Sequence, residues 1–149
     1  MVIYDKSDVI LSNIARIFTE RLKEDVDVTL VIDEKLGEFC GKKEGNVLSA
    51  GSHSQLLDVA GRFLRNPKMK DDVFVSHKKM SGMYFATHFQ NYLDAAPMEE
   101  LYRYIEDLAF WGMNTLKIWF DMHHFKNMEA GSYVSKRQIQ MAQYANLWE

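Results

Sequence analysis

The sequence predicts two units in series: a small α+β layer, then a strand–helix–strand–helix portion whose strands run parallel. Three observations predict it. Before residue 80, two segments repeat apolar residues at helical spacing and enclose short β-branched runs, the pattern of helices packed on one small sheet. After residue 80 the apolar runs become nearly unbroken, which suits strands buried on both faces. Those later runs alternate with helical stripes, an order that makes consecutive strands parallel through right-handed crossovers.

The first helix is expected from about Ser7 to Lys23, with Ile10, Ile14, Ile17, Phe18 and Leu22 on its apolar side and Ser7 or Asp8 as its cap. Val26–Ile32 is rich in β-branched residues and reads as a strand. A turn-rich stretch with Gly37, Gly41 and Gly45 follows. It encloses two short candidate strands, Glu38–Cys40 and Asn46–Ala50. Ser52 and Gln55 have the spacing of a capping box and open a second helix whose face is Leu56, Ala60, Phe63 and Leu64. Asn66–Pro67 ends it, because a residue before proline avoids the helical region. Asp72–Ser76 is either a last strand of this unit or a connector.

In the second unit, Met83–Phe89 reads as a strand. Pro97 stands at a first helical position with Glu99 and Glu100 in the first turn; Leu101, Tyr104, Ile105, Leu108 and Ala109 form the stripe, and Gly112 ends the helix. Thr115–Phe120 is the second strand. Ser135 and Gln138 repeat the capping-box spacing before a last helix lined by Met141, Tyr144, Ala145 and Trp148. Two parallel strands cannot cover both of their faces. The pattern at Glu149 is still helical, so downstream sequence or a second copy is expected to complete the unit.

Bulk properties narrow the function classes. At 47% hydrophobic and 26% charged residues the chain is globular rather than disordered. A net charge of -3 gives no general attraction to nucleic acid, and Lys68, Lys70, Lys78 and Lys79, interrupted by Asp71 and Asp72, read as a solvated connector. No apolar run is long enough to span a bilayer. No signal-peptide pattern opens the chain, and the compartment is left open. Cys40 stands alone, which excludes an intrachain disulfide. Neither a nucleotide-binding glycine loop nor a G-x-S-x-G elbow is present, and no cofactor is indicated.

The stretch Ala96–Asn114 opens with Pro97-Met98-Glu99-Glu100 and closes with Leu108-Ala109-Phe110-Trp111-Gly112-Met113-Asn114. It resembles the first helix of many retaining glycosidases, where a P-x-E-E start leads to L-A-x-W-G-x-N. Thr115–Asp121 then looks like their second barrel strand. Glu44–Gly51 followed by Leu56–Leu64 is similar to the accessory domain that precedes the barrel in beta-hexosaminidases and alpha-glucuronidases. The resemblance implies a hexosaminidase/glucuronidase-like α+β accessory domain over 1–80. It implies the N-terminal portion of a TIM-type (β/α) glycosidase barrel over 81–149. One position departs: beta-hexosaminidases often carry a sugar-holding arginine before the first barrel glycine, and here that residue is Ser81. Their catalytic carboxylates lie on later strands, so none is assigned here.

In such a barrel, ligands meet the C-terminal ends of the strands. His88, Asn91 and Tyr92 follow the first strand, and Asp121, His123 and His124 follow the second. Their polar groups suit sugar hydroxyls, and Tyr92 and Trp119 suit a sugar's apolar face. The same residue types also cap helices and close turns. Asp121, His123 and His124, with His88 beside them, contain metal-ligand types, but no H-x-H or H-E-x-x-H spacing occurs and no metal is assigned. The expected function is that of an N-terminal glycosidase portion, acting on glycosidic bonds of carbohydrates only in the parent enzyme. The alternative is a non-catalytic homo-oligomeric module that binds carbohydrate or protein.

Overall fold

The computed structural model describes residues 1–86, 92–118 and 133–148. Its first unit runs β1 (Val2–Ile3), α1 (Val9–Arg21), β2 (Val28–Ile32), β3 (Cys40–Glu44), β4 (Val47–Ala50), α2 (His53–Arg65) and β5 (Asp72–Val75). The five strands form one mixed sheet in the order β1-β2-β4-β3-β5. β1, β2 and β4 are parallel, while β3 runs antiparallel to both β4 and β5. Both helices bury their apolar stripes in one cluster. Leu11, Ile14, Ile17 and Phe18 of α1 and Leu56, Val59, Ala60 and Phe63 of α2 meet Val28, Leu30, Leu48 and Ala50 of the sheet. Residues of the alternate register face away, and there Val47, Val73 and Val75 are exposed.

The helix ends follow from capping chemistry. Asp8 is the cap of α1, its carboxylate accepting from the Leu11 amide at 2.9 Å. At α2, Ser52 Oγ accepts from the Gln55 amide and donates to the Glu38 carbonyl. The Gln55 side chain turns instead toward Asp58, so only the serine half of the capping box forms.

β3 departs from expectation. The turn-rich reading placed a strand at Glu38–Cys40, whereas the strand spans Cys40–Glu44. Two lysines and a glutamate disguise it, although it has strand neighbours on both sides. Lys43 lies on the helix-covered face of the sheet with its stem buried, and its ammonium reaches the Asp71 carboxylate at 2.8 Å. Asp72–Val75 is a strand rather than a connector, because β3 supplies its partner.

The second unit runs β6 (Gly82–Phe85), the single-turn α3 (Tyr92–Ala95), α4 (Met98–Phe110), β7 (Thr115–Ile118) and α5 (Tyr133–Ala145). β6 and β7 pair in parallel from Gly82↔Thr115 to Phe85↔Ile118, as the strand–helix–strand order requires. Their helix-facing side joins Phe85, Leu101, Ile105 and Met141 in a second apolar cluster. Their other side presents Tyr84 and Lys117, both exposed. Two boundaries shift. Pro97 caps α4 rather than occupying its first turn, and Ser135 is the third residue of α5 rather than its cap. Residues 87–89 and 119–120, read as parts of the two strands, lie outside the described residues.

Candidate functional site

The parallel pair has two ends, and different residues build each. At the N-terminal end, the motif that closes α4 has a structural task at nearly every position. Gly112, at φ 79°, ends the helix; its amide bonds the Ala109 carbonyl, and the Met113 amide bonds the Leu108 carbonyl. That pair of bonds is a Schellman cap, which needs a left-handed residue. Asn114 ties the two strand starts together: its oxygen accepts from the Ser81 amide at 2.9 Å, and its nitrogen donates to the Lys79 carbonyl at 2.8 Å.

The same motif joins the two units. A Cβ on Gly61 of α2 would fall on the Phe110 carbonyl, so only glycine lets α2 and α4 approach this closely. Arg65 donates to that carbonyl at 2.8 Å and lies 4.0 Å over the Trp111 ring. On the other flank, Arg21 of α1 bridges Glu106 and Asp107 of α4. Tyr144 of α5 donates to the second Glu106 oxygen. Burial, and then the neighbouring Glu106 carboxylate, push the Tyr144 hydroxyl up to about 12.

A cavity of about 330 Å³ opens between α4, β7 and α5, with α2 at its edge. Leu57, Ile105, Leu108, Leu116, Ile118 and Ala142 are among its walls, and among the described residues neither a carboxylate, a histidine nor a cysteine lines it. It reaches the N-terminal end of β7 at Asn114 and Thr115.

The C-terminal end is where α3, the first turn of α4 and the early turns of α5 meet. Tyr92 opens α3 with its ring 53% exposed, and its hydroxyl donates to the Glu100 carboxylate of α4 at 3.1 Å. Partial desolvation, and then Glu100, raise the tyrosine above its ordinary range. Below it, Arg137 of α5 is only 6% exposed and donates from Nη2 to the carbonyls of Leu93 at 3.2 Å and Ala96 at 2.6 Å.

Of the residues singled out for sugar contact, Tyr92 is therefore placed at this end. His88, Asn91, Asp121, His123 and His124 lie outside the described residues, where both strand ends lead in sequence. Glu100 and Arg137 were not singled out. In the sequence Glu100 is one of two acids in a helix's first turn, where the helix dipole accounts for it. Arg137 could have been found from its spacing, since it precedes Met141 by one helical turn on the apolar stripe, an unusual place for an arginine.

Two other polar constellations are structural. His53 Nε2 and Asp8 Oδ2, 2.7 Å apart, join the starts of α1 and α2. Lys68 and Lys70 before β5, and Lys78 and Lys79 after it, are exposed, so the stretch read as one connector is split by a strand. Among the described residues no group of three or more His, Cys, Asp or Glu side chains could hold a metal, and no helix is long and apolar enough to cross a membrane. No protein-family model matches the chain, and no curated protein matches it significantly.

Proposed function

We propose that this chain forms the N-terminal part of a glycoside hydrolase, an α+β accessory unit followed by the opening of a (β/α) barrel. One observation carries the reading: β6 and β7 pair in parallel through α4, directly after an α+β unit welded to that same helix. A parallel pair with one covered side is characteristic of a larger parallel sheet, because its other side must also be buried. The motif resemblance supports the same architecture, and in that motif Gly112 ends α4 while Asn114 joins the starts of β6 and β7. Tyr92 stands toward the C-terminal end of the parallel pair, and in a barrel that end would meet substrate.

In this reading, hydrolysis needs two carboxyl groups flanking the glycosidic bond. They come from later strands of the parent enzyme, and this portion contributes sugar contacts. The native product, isolated from its source cell with an antibody against this chain, should be heavier than 17.4 kDa and should hydrolyse aryl glycosides. The 149-residue chain alone should not. Robust turnover by the pure chain overturns the reading. A native product of 17.4 kDa without turnover favours the second one, a homo-oligomeric carbohydrate- or protein-binding module, which the exposed side of the β6–β7 pair would suit.

A further inference from the structure

We propose that Tyr92 and Glu100 form the docking platform for a neutral pyranose, with Arg137 as the positioning residue that builds it. The proposal rests on the glycosidase reading and names the substrate class of the same site.

A helix as short as α3 has no stability of its own, since one turn cannot repay its ordering cost. Its last carbonyls also lack intrahelical partners. Arg137 meets both needs. Its buried guanidinium binds the carbonyls of Leu93 and Ala96, and Ala96 is itself buried beside Leu101 in the second cluster. The charged head is directed at the backbone of one turn, and that turn displays an aromatic ring to solvent. The ring is then oriented by its hydroxyl, which the Glu100 carboxylate holds from the facing helix. A half-exposed tyrosine fixed at its backbone and at its hydroxyl loses little entropy on binding.

The chemistry selects the ligand. A pyranose offers one face of C–H groups, which packs on an aromatic ring, and a rim of hydroxyls, which donate to a carboxylate. A carboxylate has about four lone-pair sites, and the Tyr92 bond uses one. A sugar carrying its own carboxylate would meet Glu100, with Glu99 on the same exposed turn, and like charges in contact disfavour it. The platform therefore suits neutral sugars rather than uronates.

The test uses the native gene product with two probes, methyl β-D-glucopyranoside and methyl β-D-glucuronide, followed by saturation-transfer NMR and by inhibition of aryl-glycoside turnover. The glucopyranoside should receive saturation from the Tyr92 ring and bind more tightly than the glucuronide. Y92A should weaken its binding about tenfold, the loss falling on KM more than kcat, with the melting temperature unchanged. E100Q should narrow the preference for the neutral probe. R137M should weaken binding as Y92A does, and R137K should restore part of it. Turnover with KM unmoved by Y92A and E100Q overturns the platform and leaves the glycosidase reading standing. Tyr92-dependent glucopyranoside binding without turnover does the reverse. A tighter glucuronide overturns the substrate class.

Discussion

The first sheet and the second are finished to different degrees. In the first, five strands lie beneath two amphipathic helices, and a continuous cluster from Leu11 to Phe63 fills the layer between them. In the second, two strands share a thin cluster around Phe85, Leu101 and Met141, and their other side shows a tyrosine and a lysine to solvent. The first unit thus contains its own stability, while much of what holds the second comes from α4 leaning on α2 through Gly61 and Phe110.

The largest effect should come from breaking that support. Gly61→Ala places a methyl group on the Phe110 carbonyl and cannot be absorbed by a rotamer change, so it should cost about 3 kcal/mol or more. Urea unfolding followed by fluorescence should then split into two transitions, the second unit melting first. A single transition at the original midpoint would show that the units do not depend on this contact.

The next prediction compares the two cores. Phe63→Ala should cost about 5 kcal/mol, and Phe85→Ala nearer ~3 kcal/mol, because the smaller second cluster collapses more readily around a void. Equal losses would mean that the second unit is as well packed as the first.

These cores were legible in the sequence to different extents. The stripes of α1, α2 and α4 follow from helical spacing, and Ser52, Pro67 and Gly112 mark ends by local chemistry that needs no tertiary partner. β3 was not legible, because its lysines and glutamate look like a loop until β4 and β5 supply hydrogen bonds on both sides. Ser135 misled for the opposite reason: a capping-box spacing also occurs inside a helix. At the candidate site, Tyr92 could be placed by the rule that ligands meet strand ends. Its partners Glu100 and Arg137 stand 8 and 45 positions away and come together only through the packing of α4 and α5.

A smaller effect is a pH dependence at the joint between α1, α4 and α5. Tyr144 titrates at about 12 in the folded chain against an ordinary 10.0. A raised folded value means that its contribution is complete below pH 10 and is lost as the pH climbs toward 12. Tyr144→Phe should remove this decline from the alkaline limb, seen as a flatter curve of unfolding free energy against pH. An unchanged limb would show that the Glu106 contact does not hold the tyrosine proton. Smallest of all, Ser52→Ala should cost about 1 kcal/mol by freeing the Gln55 amide at the start of α2, read from the urea midpoint.

The central claim is that β6 and β7 belong to a larger parallel sheet. Amide hydrogen exchange over Gly82–Phe85 and Thr115–Ile118 tests it most directly, comparing the 149-residue chain with the native gene product. Exchange in both segments should be much slower in the native product, while β2 and β4 exchange alike in the two samples. Equal exchange of β6 and β7 in both samples would contradict the claim.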